Sequence, residues 1–177
     1  MVKIKHYKGK HWTLPLRAKV VFGADRKSFQ WDAMLPLEAK YDFKDPNDTD
    51  EDDWSKFCGI SFAPIVASQK NSIMVGWRYK DELDEFQLSP YWHDADGKAY
   101  YAENSAAEIF IVEPDKEFYI FIGANQLMVL SQGTRSYQFA ISDVKGSGCA
   151  REINSWFGGT DPSPKDFHYW KSQMEVR

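Results

Sequence analysis

The residues best suited to chemistry lie in the stretch 71–93, NSIMVGWRYKDELDEFQLSPYWH. It contains two apolar-alternating runs around an acidic turn, and successive side chains of a strand point to opposite faces. One predicted face is apolar, and the other carries Arg78, Gln87, Tyr91 and His93. Arginine offers carboxylates and phosphates a planar fork, whereas tyrosine and histidine can bind a ligand or move a proton. The spacing predicts a hairpin whose polar face binds an anion, acts on a sugar chain, or simply meets water.

The same face is predicted to have a hollow at Gly76, next to Arg78, because glycine leaves space on a sheet surface. Two polar residues precede the first strand, one arginine lies in a later turn, and one glutamine alternates with apolar residues in RSYQFAIS, where it is expected to extend the face. We assign no catalytic residue. The candidate ligand-binding residues are Lys70, Asn71, Arg78, Gln87, Tyr91, His93, Arg135 and Gln138.

Other catalytic and metal-binding signals are weak. The sequence has no G-x-S-x-G, H-E-x-x-H or Gly-Lys-Ser/Thr motif, and its four histidines lack metal-ligand spacing. Asp48, Asp50 and Asp52 could bind calcium, but a calcium loop needs a glycine at its sixth position and a glutamate at its twelfth. Asp53 and Gly59 stand there instead. We therefore expect a solvated acidic loop and no metal or cofactor.

The rest of the chain predicts about ten short strands at hairpin spacing, because turn-forming residues separate apolar-alternating runs. Pro36 indicates an edge or a bulge within one of these runs. This pattern favours an all-β fold, an antiparallel β-sandwich or jelly roll, as a single domain over residues 1–177. The predicted strands are 16–22, 28–43, 54–63, 71–79, 85–93, 107–113, 117–123, 126–131, 135–142 and a last one in KDFHYW.

Composition agrees with one compact β domain. The chain has 177 residues, of which 16% are aromatic, a share that suits pleated sheets. Its net charge is −4, but residues 42–53 alone contribute −6 and leave +2 for the remainder. The folded body can therefore accept a small anion. The density of Lys and Arg that duplex nucleic acid requires is missing.

The sequence also bears on location. It has no apolar run of about 18 residues and no recognisable signal peptide, so we expect a cytoplasmic protein that does not cross a membrane. Cys58 and Cys149 are too few for a disulfide scaffold and are interpreted as reduced thiols, with a single disulfide left open.

Two motifs resemble known families. The tail NSWFGGTDPSPKDFHYW resembles the closing segment of concanavalin-like jelly-roll domains, in particular the polysaccharide-lyase-like branch. The block FCGISF…NSIMVGWRY resembles small uncharacterised bacterial and phage proteins with a GWR-type strand. The resemblance implies a sandwich fold, although glycine turns and prolines also explain the tail as structure alone. The tail residues that carry it are Trp156, Phe157, Gly158, Gly159, Pro162, Pro164 and Asp166.

The resemblance implies a chemistry as well. Lyases of this branch place Arg, Gln, His and Tyr on a concave sheet face, where a cation or amide neutralises a uronate carboxylate and Tyr or His moves the C5 proton. Arg78, Gln87, His93 and Tyr91 match these types. However, Arg78 is followed by YK rather than the family's x-E, and no Q-x-H occurs anywhere. This departure favours a binding protein over a lyase.

We therefore expect a non-catalytic protein that holds a small, polar, anionic ligand on the polar sheet face. The specific form of this expectation is a phage protein that evades immunity by sequestering a nucleotide-derived signal, here called a sponge. The first alternative is a polysaccharide lyase or carbohydrate-binding jelly roll acting on uronate sugars, which is also the enzyme expected if there is turnover. The second is a virion or structural protein with an aromatic subunit interface. A homo-oligomer remains open.

Overall fold

The structure is a computed structural model that describes residues 1–14, 19–42, 53–63, 69–158 and 162–177. The candidate calcium residues Asp48, Asp50 and Asp52 lie outside the described residues, as does the start of the strand predicted over 16–22.

The described residues form an all-β sandwich of two antiparallel sheets, as the sequence predicts. Helical structure within these residues is limited to 3-10 turns. The fifteen strands are β1 (Val2–His6), β2 (Thr13–Leu14), β3 (Val20–Phe22), β4 (Phe29–Met34), β5 (Ser55–Ser61), β6 (Ser72–Lys80), β7 (Glu85–His93), β8 (Ala99–Tyr100), β9 (Phe110–Val112), β10 (Phe118–Ile122), β11 (Leu127–Gln132), β12 (Arg135–Ala140), β13 (Cys149–Ile153), β14 (Phe167–Lys171) and β15 (Glu175–Val176).

The chain crosses between the two sheets several times. One, here called sheet A, has the order β12-β11-β10-β4-β14-β1-β2, with β15 also paired to β4. The other, sheet B, has the order β3-β13-β5-β6-β7-β8, with β9 also paired to β7. Strands that are distant in sequence, such as β4 and β14, are therefore neighbours, and the fold depends on long-range pairing.

A continuous apolar core fills the space between the sheets. Alternate residues of β4 and β10 from sheet A and of β6 and β7 from sheet B are buried in it. Trp77 of β6 lies at its centre, with edge-on ring contacts to Tyr41, Phe157 and Phe167. Such contacts stabilise aromatic pairs beyond the effect of the buried area.

The hairpin that the sequence predicts over 71–93 is confirmed. β6 and β7 pair along their whole length, with Trp77 opposite Leu88 and Arg78 opposite Gln87. A short acidic turn joins them, and Asp84 adopts a positive φ of 53° there. In the next turn, Gly97 has a φ of +94°, a backbone conformation that favours glycine.

Other boundaries differ from the prediction. The strand expected over 28–43 ends at Met34, because a 3-10 turn over Leu37–Ala39 follows Pro36. The prediction of about ten strands also missed β1 and β13: VKIKH does alternate apolar and charged residues, whereas in CAREI both faces carry a charged residue. Both strands are held by partners remote in sequence, β1 by β14 and β13 by β5.

Both cysteines are free. Cys58 is buried in the core, where burial raises the pKa of its thiol to about 12, and Cys149 is exposed on β13. The expectation of two thiols is therefore confirmed. Within the described residues, no helix is long and apolar enough to span a membrane.

His6 is an unusual member of the core. It is 1% exposed and stacks on Phe167 at a ring distance of 4.4 Å, next to Phe157 and Tyr169. Neither ring nitrogen has a hydrogen-bond partner within the described residues. Burial lowers the pKa of His6 from 6.5 to about 3, because a charged imidazole would lose its hydration without compensation.

We predict that His6 makes the protein sensitive to acid. The unfolded chain takes up the His6 proton at higher pH than the folded chain, so stability is complete above pH 6.5 and falls as the pH drops from there towards about 3. One such proton contributes a slope of up to about 1.4 kcal/mol per pH unit. His6→Phe keeps an aromatic ring without unpaired nitrogens, so its free energy of unfolding should depend less on pH between 6.5 and about 3. Urea denaturation at a series of pH values measures it, and parallel curves for the two proteins would contradict the prediction.

Candidate ligand-binding groove

The polar face that the sequence predicts on β6 and β7 is the outer face of sheet B, turned away from the core. Arg78 lies opposite Gln87, Met74 opposite Tyr91, and Ser72 opposite His93. All of these side chains are buried, however, so the face is covered by other parts of the protein rather than open to water. The covering segments decide which of the predicted residues can reach a ligand.

The hollow predicted at Gly76 does not exist, because the indole of Trp54 fills it. A Cβ atom on Gly76 would lie 3.2 Å from Cβ and Cε3 of Trp54. Trp54 is the residue just before β5 and is 3% exposed. Glycine at position 76 therefore allows this indole to pack directly on the sheet.

Arg78 takes part in the same packing. Its guanidinium carbon lies 4.2 Å from the centre of the Trp54 ring, and its Nη2 lies 2.5 Å from Oε1 of Glu103. Its Nε donates to Oε1 of Gln87 at 2.9 Å, while Trp54 Nε1 donates to Oε2 of Glu103 at 2.8 Å. The positive charge is thus neutralised and stacked. This geometry makes Arg78 and Gln87 parts of a structural network instead of an open anion site.

We predict that Arg78→Ala lowers the free energy of unfolding by about 2–3 kcal/mol, because it leaves Glu103, Gln87 and the Trp54 ring without their partner. This value is below the usual cost of breaking a buried ion pair, because Glu103 is partly exposed. Chemical denaturation measures the effect.

Arg26→Ala is the matched control for this substitution. The Arg26 side chain is 89% exposed, so its removal should change stability by less than about 0.5 kcal/mol. Equal stability of the Arg78→Ala and Arg26→Ala proteins would show that the network contributes nothing.

Beside the Arg78 network, the outer face of sheet B opens into a groove of about 560 Å³, here called the outer groove. This volume lies within the range of sites that hold small molecules. Its floor comes from strands β5, β6, β7 and β13, and its rim from two exposed tryptophans. The lining residues are Trp12, Lys56, Gln69, Met74, Tyr91, His93, Arg151, Glu152, Ile153, Asn154, Ser155, Trp156 and Gly158.

A β-bulge brings Lys56 into the outer groove. The register of β5 against β6 shifts between Lys56 and Cys58, so that Phe57 is an extra residue. Strict alternation would place residues 56 and 58 on the same face, but the bulge lets Phe57 and Cys58 both enter the core. Lys56 then points outward, donates to the carbonyl of Trp54 at 2.9 Å and lies 4.6 Å from the centre of the Tyr91 ring.

Arg151 is the second cation of the outer groove. On β13, Ala150 and Glu152 point into the sandwich, which leaves Arg151 and Ile153 on the outer face. Within the described residues, the Arg151 side chain makes neither an ion pair nor a hydrogen bond, and its Nε is buried. Only Nε is enclosed, so Nη1 and Nη2 are the atoms through which a ligand in the groove can accept hydrogen bonds from Arg151.

The acidic residue of the lining does not neutralise these cations. Glu152 accepts a hydrogen bond from Trp31 Nε1 at 3.2 Å, and its Oε1 lies 3.6 Å from Nζ of Lys171. Both partners belong to sheet A, so this carboxylate faces the interior. Asp53 acts on Lys56 from near the groove, where its field partly offsets the lowering of the Lys56 pKa that burial causes. Glu152 thus leaves the two cations of the lining, Lys56 and Arg151, unpaired with it.

Tyr91 and His93 complete the floor with rings in T-shaped contact at 5.4 Å. His93 Nδ1 shares a hydrogen bond of 3.0 Å with the hydroxyl of Ser72. Burial, followed by the charge of Lys56, lowers the pKa of His93 to about 4, so this imidazole is neutral near pH 7. Burial raises the pKa of Tyr91 to about 12, which keeps its hydroxyl protonated. The pair therefore offers one neutral base and one proton donor.

The remaining predicted residues lie elsewhere. Lys70 and Asn71 lie at the entrance of β6. The side-chain Oδ1 of Asn71 accepts a hydrogen bond from the amide of Lys145, and the amide of Asn71 donates to the carbonyl of Asp94. Arg135 and Gln138 belong to β12 of sheet A, where Arg135 approaches Glu113. The expectation that Gln138 extends the face of Arg78 does not hold, because sheet membership places them on opposite sides of the sandwich. Tyr91 and His93 alone among the eight line the outer groove.

Sequence reasoning missed Lys56, Arg151, Trp12 and Trp156. In CAREI no polar–apolar alternation marked Arg151, because both faces carry a charged residue, Arg151 on one and Glu152 on the other. Lys56 could not be assigned to this face, because a bulge is not visible in the sequence. No cluster of three or more His, Cys, Asp or Glu able to hold a metal ion occurs among the described residues.

Comparisons with known proteins add little. A scan against protein-family models and a search of curated proteins gave no match. Among solved structures, the chain is similar to an alginate lyase from Pseudomonas aeruginosa, with a TM-score of 0.44 and 11% sequence identity over 89% of this chain and 67% of the lyase chain. At this level the similarity carries no argument about function.

Proposed function

We propose that the outer groove binds a small anionic ligand without turnover. The observation that carries this proposal is the state of Arg151, a guanidinium in a groove with a buried Nε and no partner among the described residues. A carboxylate or phosphate accepts from such a group in a charge-assisted hydrogen bond. Lys56 supplies a second positive charge in the same groove.

The surroundings of the two cations favour a ligand that also has an apolar part. Met74, Tyr91 and Ile153 form a small apolar cluster on this face, and the Trp12 and Trp156 rings stand at the rim. Apolar walls with a few convergent polar groups are typical of small-molecule sites. A bare inorganic ion would leave most of the groove unused.

The specific ligand class that we propose is a nucleotide-derived signal, which the protein sequesters instead of degrading. A phosphate suits Arg151 and Lys56, and a base or ribose suits the apolar lining. In this proposal the protein is a cytoplasmic phage sponge, which evades immunity by binding the signal and holding it. Such a sponge needs affinity and slow release, and it needs no catalytic group.

Calorimetry against a panel of cyclic nucleotides, ADP-ribose and pyrophosphate tests the proposal. At least one nucleotide should bind, and Arg151→Gln should weaken binding by about tenfold or more, since a hydrogen bond to a charged group contributes about 1.5–3 kcal/mol. The loss should be smaller at high salt, where charge attraction is screened.

Arg26→Gln is the matched control, since it removes one positive charge from an exposed site that does not line the groove. If both variants lose the same affinity, the effect is due to net charge and not to Arg151 in the groove. If no member of the panel binds the unmodified protein, the proposal fails.

A second candidate function is β-elimination on a uronate sugar, and the observation that favours it is the pair Tyr91 and His93 beside two cations. Arg151 or Lys56 would neutralise the uronate carboxylate and make the C5 proton more acidic. Neutral His93 would accept that proton, and the Tyr91 hydroxyl would protonate the leaving oxygen. The sugar chain is broken and a C=C bond forms.

If the protein is a lyase, incubation with uronate polymers should raise ultraviolet absorbance from the new C=C bonds. The rate should hold from neutral pH into mildly acidic solution and fall as the pH approaches about 4, where His93 becomes protonated and can no longer accept a proton. His93→Ala should abolish the signal. Unchanged absorbance across the common uronate polymers excludes this candidate and leaves the binding proposal in place.

A further inference from the structure

The rim of the outer groove carries two exposed tryptophans. Trp12 is 41% exposed and Trp156 is 44% exposed, whereas tryptophan is usually largely buried. They face each other across an antiparallel bridge, and a second bridge joins Trp156 to Lys56. The two rings are therefore tied by backbone pairing to the strand that carries one of the cations.

The backbone fixes Trp156 firmly for an exposed residue. Its amide donates to the carbonyl of Lys56 at 2.9 Å, and the amide of Lys56 donates to the carbonyl of Trp156 at 2.7 Å. The next amide, that of Phe157, donates to the carbonyl of His11 at 2.8 Å. Rigid aromatic residues lose little conformational entropy when a ligand packs on them.

One side of the Trp156 ring is already supported. The imidazole of His11 stacks on it with centroids 5.2 Å apart and an angle of 11° between the planes. His11 is itself held by a contact of 2.9 Å between its Nδ1 and the carbonyl of Phe157. Trp156 thus lines the groove with one face backed by His11 and with 44% of the residue exposed.

We propose that Trp156, with Trp12 beside it, is the stacking platform for the base of a nucleotide whose phosphates reach Lys56 and Arg151. This inference rests on the proposed anion site and specifies the other half of the ligand. A planar base continues the parallel stack that His11 and Trp156 begin, and base–aromatic stacking contributes substantially to nucleotide binding. The bridge between Trp156 and Lys56 keeps platform and cation adjacent.

The test compares ADP with inorganic pyrophosphate, which share a diphosphate and differ in the ring-bearing part. ADP should bind the unmodified protein at least about tenfold more tightly than pyrophosphate. Trp156→Leu should reduce ADP affinity about tenfold and leave pyrophosphate affinity within about twofold, whereas Trp156→Phe should retain most of the ADP affinity. Trp170→Leu, on the outer face of sheet A, is the matched control and should change neither.

Tryptophan fluorescence of the unmodified protein gives an independent measurement should Trp156→Leu not fold. ADP should quench it and pyrophosphate should not, because only a stacked base contacts the indole. Equal affinities for ADP and pyrophosphate, or ADP binding that is indifferent to Trp156→Leu, overturns the platform and leaves the anion site standing.

Two further outcomes separate the inference from its premise. Ribose 5-phosphate binding that depends on Trp156 as strongly as ADP binding does would mean that the ring recognises a sugar face, which overturns the base assignment. If neither ADP nor pyrophosphate binds, the platform fails, and the anion site fails with it only if the cyclic nucleotides and ADP-ribose are left unbound as well.

Discussion

The packing of Trp77 between the two sheets is the constraint on which the rest of the structure depends. Its indole contacts the rings of Phe167 and Tyr169 on β14 of sheet A and that of Phe157, so it fixes which face of β6 points inward. Because β6 pairs with β7 along its whole length, the same choice is imposed on β7. The outward residues of both strands, including Tyr91 and His93, are thereby assigned to the other side of sheet B, where the groove lies.

Positive charges on that outer face have two different environments. Arg78 is stacked on Trp54 and bound to Glu103 and Gln87, so it stabilises the sheet. Arg151, two strands away across β5, has no such partners among the described residues. Buried charge is tolerated when it is paired and hydrogen-bonded, and a cation that lacks these partners near a cavity is a candidate for ligand binding. The contrast explains why the arginine that is most prominent in the sequence is the less suitable one for an anion.

The fold could be predicted from the sequence where local signals are strong. Alternation and turn residues located β6, β7, β10, β11 and β12 within a residue or two, since period-2 burial and glycine-rich turns are local properties. Strand β1 was missed although VKIKH alternates apolar and charged residues, whereas β13 carries a charged residue on both faces and pairs with β5 at least ninety residues away in the chain. Strand parity grouped Tyr91 and His93, which line the same groove, whereas the position of Lys56 depends on a bulge and that of Arg151 on the pairing of β13 with β5.

The sequence by itself determined the all-β class, the hairpin over β6 and β7, and the sorting of its side chains into an apolar and a polar face, because these follow from the two-residue period of a strand. Only the tertiary structure decided that Trp54 covers Gly76 and Arg78, and that Lys56, Arg151 and Trp156 meet Tyr91 in one groove. The physical reason is that covering and convergence depend on which distant segments pair and pack, and such contacts leave no pattern in the local sequence.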